Sequence, residues 1–274
     1  MSHKLSCEFH CHTEASYDGF TSISDLITEL GRKRIDLVAI TEHDRIALHS
    51  RDRARFERAG IQVIQGCEMT TANGSHIIGL FVDSCVTGRP TRETVDHILQ
   101  QGGLVYIPHP FKPGSGLLAL AETSDPDVQY ALEAANMLEL HNGGWNASAF
   151  SAEIRAIADR FGIQLVAGSD SHRPWEVGYY RNELTVDRLP VGAQELKTAR
   201  IEGFSRCVGA RSASAPGGPE RRLWSRLLQQ QPWYQEFVSR VPWSAKRAIK
   251  KIHYSRQLRD YRRTEATLSY AKLG

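Results

Sequence analysis

The stretch LSCEFHCH, residues 5–12, is a short apolar run that ends in two histidines. Five more short apolar or β-branched runs follow, and segments with helical spacing separate most of them. These runs lie at Leu37–His43, Gln62–Thr70, Leu104–Pro110, Met137–Asn142 and Gln164–His172. An alternation of strands and helices over this length predicts an α/β fold with a parallel sheet that closes into a barrel-like form.

The segments between these runs predict four helices. Their ranges are Ser24–Lys33, Arg45–Ala59, Thr91–Gln101 and Ala147–Phe161. The residues Ser22-Ile-Ser-Asp25 resemble a capping box at the start of the first helix. A further apolar run, His76–Val82, is placed to pair with the strand before it across Asn73-Gly74.

The C-terminal part of the chain differs from the rest in charge. Residues 211–274 contain 14 Lys and Arg against 4 Asp and Glu, so the tail is basic and the body acidic. We predict a barrel domain over residues 1–211, a linker rich in turn formers over 212–219, and a basic helical appendage over 220–274. Contact of the appendage with nucleic acid or an anionic membrane is one interpretation. The favoured one is an amphipathic appendage packed on the barrel.

The five cysteines form no CxxC pair and are odd in number, which favours reduced thiols and a cytoplasmic location. Residues 1–9 lack the apolar stretch of a signal peptide. No apolar run approaches the roughly 18 to 20 residues of a membrane span, so we expect no transmembrane segment.

The histidines carry the chemical signal, because six of the eleven fall at or near the end of a predicted strand. They are His10, His12, His43, His109, His141 and His172, and the carboxylates Asp18, Glu68 and Asp170 accompany them. In a parallel barrel the carboxyl ends of the strands open on one face, where these side chains would converge. Alternate strand residues point the same way, so both histidines of an HxH pair can reach one ion. Mixed imidazole and carboxylate ligands suit zinc, iron or manganese.

These motifs resemble the PHP (polymerase and histidinol phosphatase) superfamily. The matching stretches are HCHTEASYDG (10–19), ITEHD (40–44), GCE (66–68), IPHP (107–110) and GSDSH (168–172). The resemblance implies a distorted (β/α)7 barrel that binds two or three divalent ions (Mn, Zn or Fe) and hydrolyses phosphoesters. It also implies a PHP-associated C-terminal strand and helix, which we place at Glu183–Asp187 and Glu195–Gly209.

The resemblance also implies a role for each matching residue. The first metal would be bound by His10, His12, Glu68 and Asp170. Glu68 would bridge to a second metal, which His109 also binds, and the third would be held by Asp18, His43 and His172. His141 falls near the remaining ligand position, for which His76 is a rival. Glu68, Asp170 and His172 are the predicted catalytic residues.

The sequence predicts hydrolysis of a phosphate ester, either a nucleotide or another small phosphorylated metabolite. A hydroxide held between the first two metals would attack phosphorus. Substrate phosphate would be bound by Lys112, Arg173 and Arg181, and Asp44 would orient His43. The alternatives are a nuclease acting on nucleic-acid ends, a hydrolase of amides or lactones, and a non-catalytic scaffold recruited through the basic tail.

Overall fold

The computed structural model describes residues 2–208, Ser255, Leu258, Arg259 and residues 269–273. The chain divides into two units, one formed by Met1–Ala210 with Leu268–Gly274 and the other by Arg211–Thr267. The predicted linker lies outside the described residues, and so does most of the predicted appendage, of which Ser255, Leu258 and Arg259 are helical. Both stay predictions. Among the described residues no helix has the length and apolarity of a membrane span.

The strands of the first unit form one sheet, in the order β10-β9-β8-β1-β2-β3-β4-β5-β6-β7. Their bounds are β1 His3–Glu8, β2 Leu37–His43, β3 Gln62–Thr70, β4 His76–Leu80, β5 Leu104–Ile107, β6 Ala135–Asn142, β7 Gln164–Gly168, β8 Tyr180–Val186, β9 Arg200–Val208 and β10 Ser269–Leu273. Strands β1–β3 pair in parallel, and so do β5–β7. Strand β4 pairs antiparallel with both β3 and β5, which confirms the predicted hairpin.

The sheet curls into a nearly closed barrel, and β8 seals the seam between β1 and β7. The buried Asn182 amide donates to the carbonyl oxygens of Cys7 at 3.3 Å and Ala167 at 2.8 Å, and its own oxygen accepts from the Ala167 N–H at 2.9 Å. Beyond the strands, Cys11 and Ser171 form a parallel bridge. The predicted α/β barrel is confirmed, and the loops after β1 and β7 are adjacent.

Seven helices and two short 3-10 turns connect the described strands. The helices are α1 Ile23–Arg32, α2 Ser50–Arg58, α3 Thr91–Gln100, α4 Leu117–Leu120, α5 Pro126–Ala134, α6 Ser151–Phe161 and α7 Ala193–Thr198. The turns are Ser148–Phe150 and Pro174–Glu176. The predicted cap of α1 is confirmed, because the Ser22 hydroxyl accepts from the Asp25 N–H at 3.1 Å.

Apolar side chains fill the barrel and cover its outside. One buried cluster joins residues from strands all around the sheet, such as Ile64 and Met137, which can meet only inside the barrel. A second cluster packs α3, α5 and α6 against the sheet, and a third packs α1 and α2. The interior cluster therefore fills the centre of the barrel.

Two secondary-structure predictions at the C-terminal side were wrong. The helix predicted over Glu195–Gly209 ends at Thr198, and Arg200–Val208 forms β9. Ser205 and Cys207 are both buried, which is the period of two expected for a strand. Ser269–Leu273 is also a strand, antiparallel to β9, where the helical tail was predicted.

Candidate metal centre

The candidate site lies where the carboxyl ends of the parallel strands meet. His43 is the last residue of β2, and Glu68 lies near the end of β3. The histidines of the first motif follow β1, His109 follows β5, and Asp170 follows β7 by two residues. Strands β1, β5 and β7 are therefore shorter than predicted, and several site residues lie on the loops just after them.

Sharp backbone turns direct two of these residues inward. His109 has φ 28° and Asp170 has φ 48°, in the left-handed region that residues other than glycine rarely adopt. Such conformations persist only where the surrounding structure imposes them, and they concentrate at functional sites. Asp44 shares this geometry, with φ 50°. Its carboxylate accepts from the N–H of Thr70 at 2.7 Å and from its hydroxyl at 2.9 Å, so Asp44 anchors β3 and the role predicted for it at His43 is corrected.

A first group of buried side chains surrounds Glu68 Oε2. This oxygen lies 3.5 Å from His10 Nε2 and 3.2 Å from His12 Nε2. Asp170 Oδ1 lies 3.5 Å from each of the same two nitrogens. The four residues assigned to the first metal therefore come together, two imidazoles facing two carboxylates.

A second group forms at the other oxygen of Glu68. Glu68 Oε1 lies 3.0 Å from His109 Nε2 and 2.9 Å from His76 Nδ1. One carboxylate thus faces two separate sets of imidazoles, the arrangement that a bridging ligand requires. His76, the first residue of β4, therefore lies in this group, as its prediction as the rival of His141 for a ligand position requires.

A third group lies toward solvent and includes Asp18, which is 31% exposed. Asp18 Oδ2 lies 3.1 Å from His172 Nε2, and Asp18 Oδ1 lies 3.6 Å from His43 Nε2. The rings of His43 and His172 each stack on the His12 ring at a centroid distance of 4.4 Å. The groups are therefore continuous, and we call these residues the metal cluster: His10, His12, Asp18, His43, Glu68, His76, His109, Asp170 and His172.

The chemistry of the cluster fits bound cations. Buried polar atoms in proteins nearly always have hydrogen-bond partners. Yet His10 Nε2, His12 Nε2 and Glu68 Oε2 are buried without one, and all three face the same small space. Divalent ions would satisfy these atoms, because neutral imidazoles and ionised carboxylates are metal ligands.

Neighbouring imidazoles keep the carboxylates of the cluster ionised. Burial alone would raise the pKa of Glu68, but the charges of His10 and His43 hold that pKa well below its usual value. Burial likewise opposes ionisation of Asp170, and His10 and Lys112 lower its pKa. Glu68 and Asp170 are therefore negatively charged ligands at neutral pH.

A buried carboxylate that sequence reasoning missed orients His10. Glu139, on β6, lies 3.0 Å from His10 Nδ1 and accepts from the Tyr106 hydroxyl at 2.5 Å and the His109 N–H at 2.6 Å. Holding Nδ1 in this way leaves Nε2 directed at Glu68, as is usual for a metal-binding histidine. The signal that could have identified Glu139 is a charged residue inside an otherwise apolar strand.

Two more buried carboxylates support the first histidine motif. Glu42 accepts from the Ser16 hydroxyl at 2.5 Å, and Ser16 Oγ lies 3.1 Å from His12 Nδ1. Glu8 accepts from the His10 N–H at 3.0 Å and from the Ser169 hydroxyl. The His12 imidazole is thus held from behind through Ser16 and Glu42, and the backbone of His10 is held by Glu8.

His141 does not reach the metal cluster, which corrects its prediction as a ligand. The pairing of β6 with β7 shifts register between Glu139 and His141, and such a bulge reverses the faces that later residues point to. The His141 ring instead lies 5.7 Å from the Tyr180 ring and 5.5 Å from the Phe204 ring.

Of the three predicted phosphate-binding residues, one meets the cluster directly. Lys112 Nζ lies 3.1 Å from Asp170 Oδ2, and its side chain is 30% exposed. Arg173 Nη1 donates to Glu176 at 2.5 Å in the turn that follows His172. Arg181 precedes Asn182 on β8, so strand alternation directs its side chain away from the barrel seam that Asn182 fills.

Comparison with known proteins agrees with this geometry. The family model of the PHP domain matches residues 8–189, a range that contains the whole metal cluster. The chain belongs to the PHP domain family. This confirms the resemblance and the distorted barrel of the PHP type.

Three individual relatives are between 16% and 24% identical to this chain. A probable phosphatase of Caldicellulosiruptor bescii is 24% identical over 208 residues, which cover 66% of this chain and 85% of that protein. A two-domain protein from Bacteroides vulgatus, containing a predicted PHP-like metal-dependent phosphoesterase, shares the fold with a TM-score of 0.55 and 21% identity. The lesion-specific endonuclease PfuEndoQ of Pyrococcus furiosus does so with a TM-score of 0.56 and 16% identity. The matches cover 73% and 74% of this chain, but only 65% and 58% of those two structures.

Proposed function

We propose that this PHP domain protein hydrolyses a phosphate ester, of a nucleotide or another small phosphorylated metabolite, at a di- or trinuclear metal site. The observation that carries the proposal is the position of Glu68, whose two oxygens face two different sets of imidazoles. A phosphoester needs its negative charge neutralised and a nucleophile generated near it, and clustered divalent ions provide both.

The residues that would hold each ion follow from the three groups. The first ion would be held by His10, His12, Glu68 and Asp170; the second by Glu68, His76 and His109; the third by Asp18, His43 and His172. Nitrogen and oxygen ligands in this mixture suit Mn, Zn or Fe. Glu68, Asp170 and His172 stay the proposed catalytic residues, each as a ligand.

Other residues of the chain would hold the substrate. Lys112 places a cation beside Asp170 at the exposed side of the cluster, where a phosphoryl oxygen can meet it. Arg173 follows His172 directly, and it would need to leave Glu176 to reach a phosphate. Arg181 stays a proposed phosphate ligand with less support, since its strand position points it away from the seam.

The name of one relative supports phosphate release, and the acidic body of the chain favours a small substrate. A probable phosphatase aligns with two thirds of this chain, and the acidic body does not by itself attract long polyanions. A nuclease acting on nucleic-acid ends is the second candidate, favoured by the likeness in fold to the endonuclease PfuEndoQ.

Nucleic-acid or membrane contact through residues 220–274 stays a proposal. We infer a cytoplasmic location from the five cysteines, all of which are free.

A phosphate-release screen on the full chain tests the proposal. Mononucleotides, sugar phosphates, 5′-phosphorylated oligonucleotides, amides and lactones would be compared after loading with Mn, Zn or Fe. We expect release from phosphomonoesters, with competitive inhibition by inorganic phosphate, and loss of turnover in Asp170→Asn. The matched control is Asp187→Asn, which removes an exposed carboxylate after β8 and should retain activity. Turnover restricted to amides or lactones, or no turnover with any metal, would contradict the proposal.

A further inference from the structure

A cavity of about 790 Å³ lies between the first turn of α1 and helix α2, and the loops that follow β1 and β2 line it. Thr13 and Ala15 line it on one side and Arg45 on another, so its walls begin one to three residues after the ligands His12 and His43. Because an extended chain spans at most about 3.6 Å per residue, the rim lies within about 11 Å of the backbone of these ligands. The volume is in the range of small-molecule sites, roughly 300 to 1,000 Å³.

The walls of this cavity are strongly basic, although the body of the chain is acidic. Four arginines line it: Arg45, Arg51, Arg55 and Arg58. They face two carboxylates, Glu14 and Asp52. Asp52 lies 3.4 Å from Arg55 Nη1 and 3.8 Å from Arg51 Nε. Within the described part of the chain, Arg45 and Arg58 form no ion pair.

Arg45 marks the boundary between the cavity and the metal cluster. It follows Asp44, whose carboxylate is anchored to Thr70, and its Nη1 donates to the Ala15 carbonyl oxygen at 3.1 Å. This bond fixes an exposed guanidinium at the rim while leaving its other N–H groups for an anion. Arginine is suited to that role, because its planar fork can bind two oxygens of one phosphate.

Two helix N-termini add to the positive potential. Ser22 and Ile23, at the start of α1, and His49, the cap of α2, all line the cavity. The side chain of His49 makes no capping hydrogen bond. The first N–H groups of a helix lack intrahelical partners and carry a partial positive charge, so they favour anions. Both the helix N-termini and the arginines therefore favour an anionic ligand.

We propose that this arginine-lined cavity binds a second phosphate group of the substrate whose first phosphate lies at the metal cluster. The inference rests on the proposed phosphoesterase function and narrows its substrate to compounds with two phosphates joined by an organic spacer. Arg58 is the last residue of α2, about 12 Å along the helix from its first residue, whereas Thr13 directly follows the cluster residue His12, so the cavity extends well beyond the reach of a single phosphate. A bisphosphorylated metabolite and a short 5′-phosphorylated nucleic acid share this chemistry.

Equilibrium binding of phosphonates tests the cavity without hydrolysis. The probes are alkane bisphosphonates of increasing spacer length, each paired with the alkyl monophosphonate of the same length, titrated into the full metal-loaded chain by calorimetry. At the spacer length that spans the two sites we expect the bisphosphonate to bind about tenfold or more tightly than its partner. In the double variant Arg45→Gln/Arg58→Gln this preference should fall to near one.

The matched control is Arg53→Gln, which removes the same charge from the same helix. Arg53 donates to Gln65 at 2.9 Å and lines a different cavity, so the variant should keep the wild-type preference. A wild-type preference near one at every spacer length, or a preference that survives in the double variant, would overturn the assignment.

Kinetics on natural phosphates separates this inference from the proposed function. Phosphate release with equal kcat/KM for monophosphates and matched bisphosphates would retain the phosphoesterase and overturn the second subsite. A bisphosphonate preference in a chain that hydrolyses no ester would retain the subsite and overturn the phosphoesterase. A small bisphosphate and a 5′-phosphorylated dinucleotide would then be compared by KM, and the lower KM identifies the source of the second phosphate.

Discussion

Strands β5 and β6 are neighbours in the sheet, and a histidine stands at the end of each, but only one histidine reaches the metal cluster. His109 follows β5 by two residues, turns inward at φ 28° and lies 3.0 Å from Glu68. His141 lies beyond a register shift within β6 and packs on Tyr180 and Phe204. Strand β6 contributes a carboxylate instead, Glu139, which fixes His10 from behind.

The contrast between His109 and His141 indicates that the local path of the backbone decides which strand-end side chain can become a ligand. A histidine at a strand end is available for a metal only if the chain turns it toward the barrel axis. At β5 a strained residue provides that turn, and at β6 a bulge removes it. Substitutions on these two strands and on the carboxylates behind His10 should therefore have graded effects.

The largest difference is expected between substitutions of the two strand-end histidines, His109 and His141. His109→Gln removes the imidazole that faces Glu68 Oε1 and should lower the affinity for the second ion and kcat/KM by at least about 100-fold, more than loss of an outer hydrogen bond typically costs. His141→Gln should keep wild-type metal content and turnover. Metal analysis and steady-state kinetics on the two variants measure this. Equal losses in both would contradict the contrast between β5 and β6.

The next effect concerns the carboxylate that β6 supplies in place of a ligand. Glu139→Gln keeps the shape of the side chain but removes the charge that His10 and Tyr106 contact, so metal affinity should fall about 10- to 100-fold. Competition with a chelator measures the affinity. Glu133→Gln, at an exposed position on α5, is the control and should leave it unchanged. Wild-type affinity in Glu139→Gln would show that His10 needs no partner on β6.

A smaller effect is expected from substitution of Gly168, the last residue of β7, because Glu139 occupies the space that a side chain there would need. A Cβ at Gly168 would lie 1.9 Å from Glu139 Oε1 and 2.7 Å from His10 Cβ. Gly168→Ala should therefore displace the carboxylate, lower the free energy of unfolding by about 1 to 3 kcal/mol and weaken metal binding. Gly203→Ala, on β9, meets no atom within 4 Å and should be close to neutral. Thermal unfolding with and without metal compares them, and identical behaviour would refute the proposed contact.

Substitution of Glu8 should have the smallest effect on turnover. Its expected effect is on the pH dependence of the free energy of unfolding. Burial raises the pKa of Glu8 from 4.5 to about 7, although hydrogen bonds from Ser169 and His10 partly oppose this. Because the folded state holds this proton more tightly than the unfolded state does, its contribution to stability is lost as the pH rises from about 4.5 to 7. Denaturation of the metal-free protein would compare the wild type with Glu8→Gln. The difference in unfolding free energy should shift in favour of the variant by up to about 3 kcal/mol over that range. A difference independent of pH would contradict the shift.

Much of the fold and most of the cluster could be predicted from the sequence, because both depend on local patterns. Alternating apolar runs gave the strands from β1 to β7, and histidines at strand ends gave the ligands that follow them. The HxH motif worked because its geometry is set by adjacent residues alone. Helices α4 and α5 were not predicted, although Asp125 and Pro126 form an N-cap signal at the start of α5.

The remainder depended on contacts between residues far apart in the chain. The bulge that turns His141 outward exists only in the pairing of β6 with β7. The partners of Glu139 outside β6 come from two other segments, His10 after β1, and Tyr106 and His109 in and directly after β5. Strand β10 forms against β9, more than 60 residues earlier, and a pattern of residues cannot specify such a partner.

Metal counting on Glu68→Gln tests whether Glu68 joins two metal sites. The full chain and the variant would be loaded with manganese, freed of excess metal and analysed for ions per folded chain, with thermal unfolding as a check on the fold. We expect two or three ions in the wild type, at most one in the variant, and loss of phosphate release in the variant. Wild-type metal content in Glu68→Gln, or a wild-type chain that binds no ion, would contradict the bridging role of Glu68.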